Sequence, residues 1–243
     1  MMPVRTPHQL LVDGAKTLDI PIDSTKATLF MDYLHELRSW NERFNLTAIT
    51  SERDIVIKHF LDSLVLLSRF DIPQGCTIVD IGSGAGFPGI PLKIMRPDIS
   101  MVLIESSQKK ARFLSHIISL LDLKNIIVSP DRVERFAQQK ENREHFCLAV
   151  ARAVAHIVIL LEYALPLVEI GGRFIAYKGK EAVDEVSHAD NALNLLGGRI
   201  EEVAKVVVPF LNAERYLVIA DKVASSPKSY PRRAGVPVKK PLL

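Results

Sequence analysis

The chain has 243 residues, 48% hydrophobic and 24% charged, which suits one large core or a core with a smaller appendage and excludes a disordered, collagen-like or disulfide-stapled protein. Cys76 and Cys147 are too few and too far apart for a zinc cluster and make a disulfide framework improbable, so a reduced, cytoplasmic setting is expected. The formal net charge of +3 hides an asymmetry, because residues 222–243 hold six basic and no acidic side chains, leaving 25 basic against 28 acidic over the remaining 221.

The opening residues, MMPVRTPHQLLVDGAKTLD, lack the apolar core of a secretory signal. Residues 1–72 read as a helical extension. Leu29, Phe30, Tyr33, Leu34 and Leu37 follow the three-and-four spacing of an amphipathic helix over residues 25–40, with Asp23 and Ser24 as caps. After a loop at 41–51, a second helix is marked by Ile55, Phe60, Leu61, Leu64, Leu67 and Phe70. From Cys76 onward the pattern changes. Short β-branched runs at 77–81, 101–105, 126–129, 147–151 and 173–178 alternate with helical stretches at 90–95, 109–121, 133–139, 155–167 and 181–196, which predicts a parallel sheet covered on both faces. Two further strands, 200–208 and 216–222, are joined by residues 209–215, too short a link for a parallel crossover. The predicted fold is therefore α/β: five parallel strands closed by an antiparallel hairpin over 73–222, after the helical extension. The longest apolar stretch, 157–168, is broken by Glu162 and Pro166 and cannot span a bilayer. In the tail, 223–243, four prolines (Pro227, Pro231, Pro237 and Pro241) disfavour regular structure. The tail reads either as an arm for a polyanion or as a plain solvated terminus.

The most informative segment runs from Val79 to Gly89 (VDIGSGAGFPG), leaving a buried strand and opening a helix, where glycines let backbone N–H groups approach a ligand. Gly84-x-Gly86-x-x-Gly89 fits the dinucleotide fingerprint, whereas Asp80-x-Gly82-x-Gly84-x-Gly86 fits the first motif of class I methyltransferases that use S-adenosylmethionine. A carboxylate at Asp80 repels a pyrophosphate but attracts the ammonium of S-adenosylmethionine. Glu105, at the end of the second strand, is placed to accept two ribose hydroxyls, which either cofactor offers. The closing hairpin favours the methyltransferase. A bare glycine turn without a ligand is the bland alternative.

The acceptor chemistry narrows by elimination. After the fourth strand the sequence reads Ala149-Val-Ala-Arg152-Ala153, without the Asn/Asp-Pro-Pro-aromatic segment that serves exocyclic amines. Cys76 and Cys147 fall at the wrong ends of their strands for attack on a pyrimidine. Guanine N7 has an exposed lone pair and no proton to remove, so its methylation needs positioning and no catalytic base. Arg152 is expected to donate to the methionine carboxylate or an RNA phosphate, against the alternative of a structural ion pair.

The motifs Asn45-Leu-Thr-Ala-Ile49, His59-Phe-Leu-Asp62-Ser63-Leu64, the Asp80–Leu92 segment, Arg132-Val-Glu134, Ala151-Arg152-Ala153, Tyr177-Lys178-Gly179, Tyr230-Pro-Arg-Arg-Ala-Gly235 and Lys239-Lys-Pro-Leu242 run in order through nearly the whole chain. Together they resemble the bacterial 16S ribosomal RNA guanine-N7 methyltransferases, the glucose-inhibited division protein B family. The resemblance implies a class I, Rossmann-like methyltransferase fold, S-adenosyl-L-methionine as cofactor, and 16S rRNA or the small ribosomal subunit particle as partner. No membrane and no obligate protein partner are implied. It also implies that Gly82, Gly84, Phe87, Glu105, Val133, Glu134 and Arg152 hold the cofactor, and that Lys178, Arg232, Arg233, Lys239 and Lys240 meet RNA. No residue is expected as a proton-transfer catalyst or metal ligand. His59 and Asp62 share a helical face and are read either as an RNA-contacting or orienting pair or as a local hydrogen bond. Arg38, Trp40, Arg43, Phe44 and Asn45 are read as a helix end that packs, with an RNA-stacking patch as the alternative. An NAD(P)-dependent oxidoreductase and a non-catalytic RNA-binding module are the competing functions.

Overall fold

The computed structural model describes residues 5–243; residues 1–4, at the start of the expected helical extension and of the segment without a signal core, lie outside the described residues. Helix α1 (Pro7–Thr17) starts at a capping box in which the Thr6 hydroxyl accepts from Gln9 N–H and the Gln9 side chain accepts from Thr6 N–H. Helix α2 (Ser24–Phe44) is capped by Asp23, as expected, through a 2.8 Å bond from Lys26 N–H. It buries Phe30, Tyr33, Leu34 and Leu37 and ends at Asn45 in the left-handed conformation, φ 48°. The second predicted helix is shorter and less regular than its apolar spacing suggests. A single turn, α3 (Glu52–Ile55), widens into a π-helical stretch (Val56–Leu61) before α4 (Asp62–Leu64). Leu67 and Phe70, beyond it, only pack partly against the core.

The sheet is the predicted one. Strands β1 (Thr77–Ile81), β2 (Ser100–Ile104), β3 (Ile126–Ser129), β4 (Phe146–Arg152) and β5 (Val168–Lys178) are parallel, and β6 (Gly198–Val206) and β7 (Arg215–Lys222) form the antiparallel hairpin. Their order is β3-β2-β1-β4-β5-β7-β6. The sheet reverses direction of growth between β1 and β4, where both strands present their carboxyl ends to the same crevice. Strand β5 begins five residues earlier than expected; Gly171 and Gly172 hide it from β-propensity and coincide with a register shift against β4.

The crossovers are α5 (Gly89–Met95), α6 (Gln108–Leu120), α7 (Val133–Phe136), α8 (Ile157–Ala164) and the pair α9 (Ala182–Ser187) and α10 (Asp190–Leu196). The last two replace the single helix expected over 181–196, the break falling at His188 and Ala189. Alternation along β1 sends Ile78 into a core shared with α1, α2, α5 and α6, and Val79 and Ile81 into a second core under α8. The N-terminal helices thus share one continuous core with the sheet.

Two expectations are corrected. Cys76 and Cys147 are disulfide-bonded, with Cα atoms 6.0 Å apart. Separation along the chain misled, because β1 and β4 are neighbours in register and bring residues 71 apart together. The bond lies at the end of the sheet opposite the crevice. The proline-rich tail is also no free arm. The Arg143 guanidinium donates to the Tyr230 and Ser226 carbonyls, the Gln138 amide donates to the Pro231 carbonyl, Pro237 and Leu242 are buried, and a last turn, α11 (Val236–Lys239), forms. Prolines that forbid long helices still allow a strap held by side-chain donors.

Candidate active site

The loop after β1 is drawn tight by its own backbone. Gly86 and Phe87 N–H groups donate to the Ser83 carbonyl at 2.8 and 2.9 Å, and Ser83 N–H reaches the Ile104 carbonyl of β2. The Tyr33 hydroxyl of α2 donates to the Ala85 carbonyl. Gly86 has φ 102°, and a Cβ there would fall 2.5 Å from the Tyr33 hydroxyl, so only glycine fits. Gly82 has φ 68°, and a Cβ there would press on Val154, 2.8 Å away.

Over this loop lies a cavity of about 420 Å³ at the carboxyl ends of β1, β2 and β4. All seven side chains or backbones expected at a cofactor (Gly82, Gly84, Phe87, Glu105, Val133, Glu134 and Arg152) line it. Glu105 accepts from Gly84 N–H at 2.9 Å and from Ser107 N–H at 2.7 Å, one bond to each oxygen. These bonds fix the carboxylate and leave further lone pairs toward the cavity. Glu134, on α7, accepts from Tyr163 OH at 3.3 Å and from Gly235 N–H of the tail at 3.1 Å. The tail therefore closes the wall at this end.

Asp80 is different from expectation. Its carboxylate is fully buried beneath the loop rather than lining the cavity; Oδ2 accepts from Gly89 N–H at 3.0 Å, and Oδ1 has no partner among the described residues. Burial pushes this carboxyl up to about 7, against the opposing pull of the Gly89 hydrogen bond.

Arg152, at the end of β4, joins the cavity to a second one of about 410 Å³; His59, Arg152 and Ala153 line both. The Arg152 guanidinium pairs with Asp62 at 2.9 Å, donates to the Lys58 and His59 carbonyls, contacts His59 Nδ1 at 3.2 Å, and lies 5.1 Å above the Phe87 ring. Three of its five N–H donors are engaged, leaving Nε and one Nη2 hydrogen for a ligand. Asp62 also takes Arg215 of β7 at 3.1 Å. The His59 ring stacks on Phe87 with centroids 4.3 Å apart and contacts the Thr47 hydroxyl through Nε2 at 3.0 Å. Burial, with the Arg152 charge beside it, pulls the imidazole down to about 3, so it stays neutral at physiological pH. The widened π turn is what carries both His59 and Asp62 to Arg152. Ala153, φ 55°, holds the left-handed conformation where the two cavities meet. Arg215 had no sequence signal and arrives from the start of β7, distant along the chain; Val154 directly follows the Ala151-Arg152-Ala153 motif, and Thr47, inside the Asn45–Ile49 motif, had no role assigned to it.

The predicted RNA contacts separate into two groups. Lys178 is half-buried in the second cavity, paired with Glu185 at 2.6 Å and donating to the Ala155 carbonyl. Arg232 is bonded through Nε and Nη2 to both oxygens of the buried Glu162, at 2.9 and 2.6 Å, so it holds the tail in place. Arg233, Lys239 and Lys240 are exposed, and among the described residues none has an ion-pair partner. Trp40 packs on Phe113 and His116 of α6, with Phe44 beside it, as the packing reading expected. No described helix is long and apolar enough to cross a membrane.

The family model described as rRNA small subunit methyltransferase G matches residues 26–216. A ribosomal RNA small subunit methyltransferase G of Desulforamulus reducens is 42% identical over 232 residues, covering 96% of this chain and 97% of the relative. One of Roseiflexus castenholzii is 46% identical over 230 residues, with 94% and 97% coverage. Among solved structures, a SAM-dependent methyltransferase from Aquifex aeolicus aligns with TM-score 0.52 at 18% identity over 68% of this chain and 91% of that one. A geranyl diphosphate C-methyltransferase from Streptomyces coelicolor aligns with TM-score 0.53 at 10% identity over 79% and 98%. At such identity these two likenesses speak for the fold alone, an α/β methyltransferase sheet preceded here by helices. On the family match and the near full-length identities, the chain belongs to the rRNA small subunit methyltransferase G family.

Proposed function

We propose that the chain transfers the methyl group of S-adenosyl-L-methionine to N7 of a guanosine in 16S rRNA of the small ribosomal subunit. The first cavity suits that donor in size, since small-molecule sites span roughly 300–1,000 Å³. Its glycine floor leaves the loop backbone open, and the orphaned Oδ1 of Asp80 beneath that floor gives it a negative field when ionised. A pyrophosphate over the loop would be repelled by that field, which disfavours the dinucleotide reading.

In this reading Glu105 accepts the ribose hydroxyls, Val133 and Glu134 border the adenine, and Gly82, Gly84 and Phe87 surround the methionine moiety. Arg152 turns its unused donors to the carboxylate. When bound, the donor supplies an activated methyl group on a sulfonium. A guanine N7 lone pair could take that methyl as the sulfonium became a neutral thioether, with no proton to remove, so the residues at the junction would have only to hold and orient the base.

One observation carries the choice of acceptor: among the described residues beside Arg152 at the junction of the cavities, neither His59 nor Asp62 is fit to remove a proton. His59 is held neutral with its pKa at about 3 and both nitrogens engaged, and Asp62 is tied to two arginines. A junction without a base beside the donor suits an acceptor that is already a nucleophile, where orientation supplies the rate. Arg233, Lys239 and Lys240 on the exposed tail, with Lys178 in the cavity wall, are the basic groups offered to RNA.

Calorimetric titration tests the cofactor assignment. S-adenosylhomocysteine is expected to bind with a dissociation constant of about 10 μM or tighter, NADH not at all, and Glu105→Leu is expected to lose the former. Methyl incorporation into small subunits from a strain lacking this activity tests the partner. NADH binding, or no incorporation into rRNA at all, contradicts the proposal.

A further inference from the structure

The second cavity is rich in charge, and almost all of it is spoken for. Arg152 and Arg215 share Asp62, Lys178 is paired with Glu185, and Lys58 is paired with Asp54 at 3.2 Å. Glu181 is the exception: it is an exposed residue at the cavity's edge, free to turn to a ligand, and among the described residues its side chain has neither an ion-pair partner nor a hydrogen-bond donor. It stands just before α9, immediately after the Tyr177-Lys178-Gly179 exit of β5. A Cβ at Gly179 would lie 3.1 Å from Glu181 Oε2, so the carboxylate rests close against the bare glycine at the cavity mouth.

Position decides what this carboxylate can meet. His59, Arg152 and Ala153 form the side of the second cavity that adjoins the donor, whereas Glu181 belongs to the second cavity alone. A purine whose N7 points toward the donor turns its opposite edge away from it. On guanine that edge carries two adjacent donors, the N1–H and the N2 amino group; on adenine N1 is an acceptor. A carboxylate has two acceptor oxygens and no hydrogen to give.

Resting on the proposed guanosine N7 methylation, we infer that Glu181 selects the target base, accepting N1–H and N2–H from guanine and repelling adenine. The unpaired Glu181 in the cavity that joins the donor site is the observation behind it. A base drawn out of its RNA stack is commonly read through this edge. Methylation places a full positive charge on the purine ring, so the same carboxylate attracts the transition state more than the neutral substrate. Glu181 therefore acts on turnover as well as on binding.

The test compares the wild-type chain with Glu181→Gln and Glu181→Ala on reconstituted small subunits carrying guanosine or, by substitution, adenosine at the target position. Donor-product binding by S-adenosylhomocysteine titration reports folding and is expected to be unchanged in both variants. Each variant is expected to lose about 10- to 100-fold in kcat/KM on guanosine, the cost of a lost bidentate base contact. Glu181→Gln, which can donate to adenine N1, is expected to lower the guanosine-to-adenosine preference at least as far. Unchanged kcat/KM on guanosine, or a uniform loss on both bases with the preference intact, overturns the inference. A wild-type chain that forms no 7-methylguanosine overturns the proposed reaction itself, a result the Glu181 comparison cannot produce.

Discussion

Replacing Arg232 by alanine should unfold the protein more readily than any other change in its tail. Glu162 sits on α8 with its side chain only 1% exposed, and Arg232 supplies its backbone N–H at 2.8 Å together with Nε and Nη2. The variant keeps the backbone bond and loses both charge-assisted ones, stranding a buried carboxylate. Breaking a buried pair by removing one partner costs about 3–5 kcal/mol. The Arg232 side chain is itself 25% exposed, so water can partly replace it, and the lower end, about 3 kcal/mol, is the expected loss. In a domain of this size that corresponds to a fall in melting temperature of roughly 6–12 °C. Urea unfolding at pH 7 reads the change directly. Adding Glu162→Gln to the Arg232→Ala variant should restore part of the stability, because the stranded charge is then gone. A midpoint for Arg232→Ala equal to that of the wild type would refute the structural role and return Arg232 to the group available for RNA.

Replacing Arg233, Lys239 and Lys240 together by serine should leave stability and S-adenosylhomocysteine affinity unchanged while reducing the salt slope of RNA binding by about 2–3, as three lost phosphate contacts require; an unchanged slope in a filter-binding series speaks against contact by the tail. Asp80 has a carboxyl raised to about 7 in the folded chain, against about 4 when unfolded. The folded state therefore holds the extra proton between those values, and stability falls as pH rises through that window, the loss being complete above 7. Asp80→Asn, neutral throughout, should gain on the wild type by up to about 3 kcal/mol between pH 5 and pH 8 in urea midpoints; a constant difference contradicts the raised value. Gly86→Ala combines φ 102° with a Cβ driven onto the Tyr33 hydroxyl and onto Ile90 at 2.6 Å, and should cost about 2–4 kcal/mol. Gly75→Ala, at φ 72° with open space around it, should cost only about 1–2 kcal/mol, and equal costs would show that packing under the loop is slack.

What could be read from the sequence is what neighbouring residues decide among themselves. The glycine turn at 82–89 states its own backbone conformation, Asp23 states its own helix start, and β-branched runs bounded by turns delimit β1 and β3 to the residue. The hairpin topology followed from the length of one link. Most of the missed features instead join residues far apart. Arg215 reaches Asp62 across 153 positions, Arg232 reaches Glu162 across 70, and Cys76 meets Cys147 across 71 because β4 returns to lie beside β1. The π turn at Val56–Leu61 escaped for another reason: its apolar spacing remains close to that of an α-helix, and only the tertiary demand to point both His59 and Asp62 at Arg152 sets it apart. The tail was misjudged because proline content reports on helices and strands, whereas what holds this segment is a set of side-chain donors from Arg143 and Gln138.

Identification of the methylated atom tests the central claim most directly. Small subunits from a strain lacking this activity are incubated with the purified chain and S-adenosylmethionine, and the rRNA is then digested to nucleosides and resolved by mass spectrometry against standards. A single added methyl, co-migrating with 7-methylguanosine, is the expected product, and a portion of the rRNA left undigested is expected to be cut at one position on reduction and aniline treatment. A methyl found on an exocyclic amine, on a pyrimidine carbon or on ribose would mean that the neutral His59 and doubly paired Asp62 do not describe the working site.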